Sequence, residues 1–276
     1  MKSAVAWPAL ILGCLGFGLL YIPITVMVIY SFNASRLVSV WGGFSTHWYS
    51  ALLGNEQVLD ALGKSIWIAV NAATYSTVFG VLIALAFVRF GNFRFRLLLS
   101  ALASTPLVMP EVVTGLSLLL LFIAMEGVFG WPAGRGLDTI IIAHSTFGMC
   151  FAAVVVQSRL REFDMALEEA AADLGARQPF IFFSITLPVI APAVIAAWLL
   201  AFTLSFDDLV IASFVSGPGS STLPIVIFSK VRLGVTPEIN ALATIMIALI
   251  ASCVVVAGLL FYSRSARTTS SSNRER

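Results

Sequence analysis

The residues that bear on chemistry are few and clustered. Glu111 stands inside a long apolar stretch, directly after Pro110 and a short step after Pro106. Asp207 and Asp208 sit side by side where another apolar stretch ends, ahead of Gly217-Pro218-Gly219. Ionisable groups at membrane depth are costly and normally face a cavity or a partner, so these acids predict a path for a cation. The two prolines interrupt helical hydrogen bonding and permit a kink or break, although an acid placed there also favours the start of a resumed helix. One of the two aspartates could equally cap a short following helix. As a pair they repel unless compensated, and a basic ligand supplies the counter-charge. The faces of Trp48 and Phe228 offer cation–π attraction to the same cargo.

Covalent chemistry finds no support. With only His47 and His144, and no nucleophile motif, a membrane-embedded hydrolase is a poor reading. His144 lies in an apolar run with no second histidine at ligand spacing, which predicts a helix-to-helix hydrogen bond. Cys14, Cys150 and Cys253 are odd in number, lack metal-type spacing and sit in apolar runs, so they read as small buried hydrophobes with no metal site. Gly63-Lys64-Ser65 imitates the end of a phosphate-binding loop, but that loop needs a glycine where Val58 stands. No other nucleotide motif is present. Any energy the chain uses must therefore come from another subunit.

The densest charge lies between Arg159 and Pro188. Eight charged residues fall there (Arg159, Arg161, Glu162, Asp164, Glu168, Glu169, Asp173 and Arg177) in a chain that is 11% charged overall. Asp164 is a candidate N-cap, and Leu167, Ala170, Ala171 and Leu174 make an apolar helical stripe. Gly175 follows the last periodic residue, where a left-handed stop belongs. The expectation is a short amphipathic helix, a sharp turn, and a second helical piece entering the membrane at Pro188. A loop that only joined two spans could be much shorter, so this one predicts a docked partner.

These residues must be positioned by membrane helices. The 276 residues are 59% hydrophobic with a mean hydropathy of +0.98, whereas soluble domains are about 45–50% apolar and roughly 25% charged. A soluble enzyme, a disordered chain and a nucleic-acid binder are all excluded. Spans of about 20 apolar residues each are readable at about 7–32, 65–88, 97–125, 139–157, 183–206 and 239–263. The first is too long for the hydrophobic region of a cleaved signal and lacks a clear cleavage site, so it stays as a span. Long continuous runs point to helices and not to a strand barrel. With both termini inside, eleven Lys and Arg face the cytoplasm and five (Arg36, Lys64, Arg135, Lys230 and Arg232) face out, the bias expected of a correct orientation. Residues 267–276, rich in Ser, Thr and Arg, read as a disordered cytoplasmic tail.

Glu169-Ala170-Ala171, then Gly175, then Ile185-Thr186-Leu187-Pro188 matches E-A-A-x3-G-x9-I-x-L-P. The chain thereby resembles the permease subunits of bacterial ABC importers of the binding-protein-dependent type. That resemblance implies an all-α membrane protein of six transmembrane helices with the type I ABC importer permease fold, one permease domain over 1–266, and a coupling loop at 159–188. It implies Glu169 as a contact to the ATPase and Gly175 as the turn between two short coupling helices, with Ala170, Ala171, Ile185, Leu187 and Pro188 completing the motif. Ser31-Phe32-Asn33, Thr46-His47-Trp48-Tyr49, Pro110-Glu111, Thr203 to Asp208, Ser213 to Pro218 and Pro237 to Thr244 narrow the likeness to putrescine/spermidine permeases, most of all the second permease of a putrescine importer. Relatives often carry Asp where Glu111 stands. The implied partners are a second homologous permease, two ATPase copies, a periplasmic polyamine-binding protein and the lipid bilayer of a bacterial inner membrane. Two rivals are an importer permease for another solute and an ion-coupled secondary transporter. The first would favour basic groups for an anion, and the second needs no docking loop and usually shows internal repeats.

Overall fold

The computed structural model describes residues 6–37, 40–234, 236–248 and 251–252. Among them the chain is helical throughout, relieved by one isolated bridge between Asn33 and Phe44. It divides into two compact units, residues 1–56 with 229–276, and residues 57–228.

The first unit holds α1 (Ala6–Tyr30), α2 (His47–Leu53) and a helix over Pro237–Ala248. Side chains of α1 from Leu10 onward are largely exposed along its length. In a bilayer such a surface meets lipid or another helix at no hydrophobic cost. Between α1 and α2 the chain turns around Asn33, which is fully buried. Its Oδ1 accepts from the backbone N–H of Ser35 and Gly42, at 3.1 and 2.8 Å, and its Nδ2 donates to Val40 O at 2.8 Å. A buried amide satisfied on both ends fixes a loop that no regular ladder supports.

The second unit contains α3 (Glu56–Arg89, entering from the unit boundary), α4 (Arg96–Val108), α5 (Glu111–Phe129), α6 (Leu137–Arg161), α7 (Ala166–Asp173), α8 (Gln178–Ile181), α9 (Leu187–Phe206), α10 (Val210–Val215) and α11 (Leu223–Leu233), the last crossing the boundary. A π-helical turn over Phe182–Thr186 joins α8 to α9, giving one apolar rod from Gln178 to Phe206. α3 buries Ala61, Ser65, Ala69, Ala72, Ser76, Gly80 and Ala84, a stripe of small residues three or four apart. Small residues let membrane helices approach closely. A Cβ added at Gly80 would stand 2.6 Å from Ala152 Cβ, and one at Gly148 would stand 2.5 Å from Ser76 Oγ. Two apolar cores result, one around Val81, Val156, Leu160 and Ile190, the other around Ile68, Phe122, Ile140 and Ile211.

The spans differ from expectation in three places. The stretch 97–125 is two helices, because Met109, ahead of Pro110, takes an extended ψ of 142° and α5 starts afresh at Glu111. Proline disfavours the helical region for its predecessor. Pro106, by contrast, stays inside α4. The second span begins at Glu56 and not near 65, since Asp60 and Lys64 pair one turn apart at 2.5 Å and carry the helix outward. Of 239–263, the part to Ala248 is helical. Most of the remainder, with Cys253 and 267–276, lies outside the described residues.

Candidate functional site: a coupling loop and an acidic outer end

α7 is the first short helix of the 159–188 loop. Asp164 Oδ1 accepts from Ala166 N at 3.0 Å in the turn ahead of the helix, but the N-cap of α7 is Met165, one residue later than the sequence predicts. Gly175 ends it at φ +82°, with Gly175 N donating to Ala172 O at 2.8 Å and Ala176 N to Ala171 O at 3.1 Å. That pair of bonds is the Schellman arrangement, which needs a residue tolerant of the left-handed region. Glu169 and Ala170 are exposed, while Ile185 and Leu187 pack against the Val156–Leu160 core. Leu174 is 90% exposed, and Leu167, Phe180 and Phe183 are exposed around it. The loop thus presents an acid and several large apolar side chains outward. Ala171 is half-buried and Pro188 exposed at the head of α9.

What holds the loop in place was not visible beforehand. Glu168, directly before the E-A-A triplet, accepts from Arg89 Nη2 at 2.7 Å and from the Thr186 hydroxyl. The side chains of Arg89 and Glu168 are 15% and 17% exposed. Arg89 also lies over the Phe163 ring, 5.2 Å from its centroid. One carboxylate therefore ties the end of α3, the short helix α7 and the segment leading into α9. These residues lie 79 and 18 positions from Glu168, beyond the reach of helical periodicity. The only sequence signal was a lone arginine at the end of an apolar run.

At the opposite end of α6, Asp208 receives the backbone N–H of Ile211 and Ala212, at 3.3 and 2.7 Å, and so heads α10. His144 Nε2 stands 3.1 Å from Asp208 Oδ2 and its Nδ1 2.7 Å from Ser205 Oγ. His144 is 4% exposed and joins α6 to α9 and α10. Asp207, one residue earlier, is exposed and has no hydrogen-bonded side-chain partner among the described residues. α10 packs on α5 at Gly115, where a Cβ would stand 2.7 Å from the Phe214 ring. Glu111, one turn before Gly115, is exposed at the head of α5. Phe228 is 47% exposed on α11. In the first unit, Trp48 is half-buried and its indole N–H donates to Asn33 O at 2.7 Å, which ties it to the turn described above.

Residues 76–270 match the family described as the binding-protein-dependent transport system inner membrane component. The chain belongs to this family. It is 56% identical to the putrescine transport system permease protein PotI of Escherichia coli K12, over 87% of this chain and 85% of that protein. It is 42% identical to the spermidine/putrescine transport system permease protein PotC of the same strain, over 88% and 90%. Among solved structures, a bacterial ABC transporter that imports the acidic polysaccharide alginate contains a chain with TM-score 0.70 at 17% identity, covering 95% of this chain and 96% of that one. A chain of the inward-facing MetNI methionine transporter gives 0.53 at 18%, covering 74% and 95%. The fold is that of an ABC importer permease, and the chain is a multi-pass inner-membrane component of such a system.

Proposed function

We propose that this permease carries putrescine, with spermidine as a second cargo, and forms half of the translocation path. The observation that carries the reading is the 56% identity to a putrescine permease along 87% of the chain. The positions of the acids agree with it. Glu111 heads a helix at the break of a membrane-crossing stretch, and Asp207 is left exposed while Asp208 is engaged. Such carboxylates suit a flexible polycation, and successive weak sites pass a cargo on where one tight site would trap it.

The partners follow from the same reading. A second homologous permease completes the path, two ATPase subunits bind ATP and Mg, and a periplasmic polyamine-binding protein delivers the cargo. Glu169, Ala170, Ala171, Gly175, Ile185, Leu187 and Pro188 make up the motif that couples the chain to the ATPase. Both termini face the cytoplasm, and residues 1–266 act as the permease domain. ATP binding closes the ATPase pair, the loop transmits the movement, and the path opens outward. Hydrolysis resets it. Glu111, Asp207, Asp208, Trp48 and Phe228 are assigned to the cargo path, Asp208 through its hold on α10. The chain itself performs no covalent step.

The test is ATP-dependent uptake of radiolabelled putrescine and spermidine by the full complex in proteoliposomes. Glu169→Ala is expected to lower uptake together with ATPase stimulation. Glu111→Gln is expected to lower uptake while the complex stays assembled and responsive to loaded binding protein. If neither polyamine enters with the wild-type complex, the cargo is another solute.

A further inference from the structure

A crevice of about 200 Å³ opens between α4 and α6 in the second unit. Its two walls are helical stripes that run in opposite directions. On α4 the stripe is Arg96, Ser100 and Leu107; on α6 it is Val154, Gln157 and Arg161. Arg96, at the start of α4, and Arg161, at the end of α6, both line it, with Ser100, Ser104 and Gln157 as further polar side chains and Phe87, Leu107 and Val154 as apolar ones. No carboxylate lines it. Among the described residues, the ion pairs of this region use Arg89 with Glu168 and Arg159 with Glu162, and neither Arg96 nor Arg161. Arg96 donates one N–H to Gly91 O, which leaves most of its five donors unused.

Two guanidinium groups lining one crevice without a carboxylate repel, and an anion between them removes that cost. Phosphate is matched by the planar fork of arginine. Phe87, Leu107 and Val154 on the same lining suit the first methylenes of an acyl chain. Basic pockets between membrane helices on the cytoplasmic side hold anionic headgroups. We infer that this crevice is a binding site for the phosphate of an anionic phospholipid, held by Arg96 and Arg161 with Ser100 and Gln157 as hydrogen-bonding partners. The choice of leaflet rests on the orientation proposed above. The lipid site itself does not, and it is read without any uptake measurement.

The experiment is native mass spectrometry of the intact complex after exchange into phosphatidylglycerol or phosphatidylcholine. The wild-type complex is expected to retain phosphatidylglycerol and not phosphatidylcholine. Arg96→Gln with Arg161→Gln should lower the retained lipid about tenfold or more, as expected for lost charge-assisted contacts. Arg96→Lys with Arg161→Lys should keep part of it. Equal retention by wild type and the glutamine variant overturns the site. So does displacement of the lipid by millimolar inorganic phosphate, which makes the crevice a simple anion site. If the glutamine variant fails to assemble, wild-type complex is crosslinked with phosphatidylglycerol carrying a photoreactive acyl chain. Label in peptides spanning 100–107 and 150–157 supports the site, and label confined to other helices overturns it.

Discussion

Asp207 and Asp208 are chemically alike and adjacent, yet their surroundings divide their work. Asp208 is committed to two backbone N–H groups and to His144, whereas Asp207 is exposed. Asp208→Ala should therefore destabilise the assembled complex, by about 1–2 kcal/mol for a lost cap, visible as a lower melting temperature before any uptake assay. Asp207→Asn should leave melting within about 0.5 kcal/mol, as for surface changes, and lower polyamine uptake. The opposite pattern would exchange the two roles. Gly217 is a third residue whose type matters sterically. A Cβ there would stand 2.0 Å from Arg135 O, so Gly217→Ala forces the 131–136 loop aside at about 1–3 kcal/mol, again read by melting of the complex. Both aspartates were legible as candidates in the sequence. Their division was not, because it depends on a histidine 64 positions away.

At the scale of elements, the 159–188 loop holds a short helix clamped at one residue and turned at another. Gly175 at φ +82° makes Gly175→Ala costly by about 1 kcal/mol or more, and the altered turn should uncouple ATP hydrolysis from uptake. The Arg89–Glu168 pair is mostly shielded from water. Removing one partner leaves the other charge poorly compensated. Glu168→Ala and Arg89→Ala are each expected to destabilise the complex by about 2 kcal/mol. Their double variant should cost less than the sum, because the coupling is shared. Additive losses would show that the two side chains act independently. The helix and its glycine stop were readable from spacing, since each is set within a few residues, while the cap fell at Met165 and not at Asp164. The clamp joins α3, α7 and the Thr186 turn, and nothing in local sequence ties those three together. The break in the third span had a local cause in Pro110, though only the backbone distinguished a kink from two helices.

For the whole molecule, orientation is the property with the simplest check. The orientation proposed above from the excess of basic residues predicts Arg94 in the cytoplasm and Gly134 outside. In a variant lacking native cysteines, Gly134→Cys should react with an impermeant maleimide in spheroplasts, and Arg94→Cys should react only after permeabilisation. The reverse result would invert the topology. Composition and hydropathy by themselves determined that this chain crosses a membrane as helices, because the cost of unsatisfied backbone in lipid leaves few alternatives. The E-A-A motif determined the family, since its seven specified positions hold whatever the rest of the chain does. Tertiary structure alone decided which charged groups are tied up in holding helices together and which remain exposed. That division depends on distance between residues far apart in the chain. Arg89 found Glu168, and His144 found Asp208, while Glu111, Glu169 and Asp207 stayed exposed.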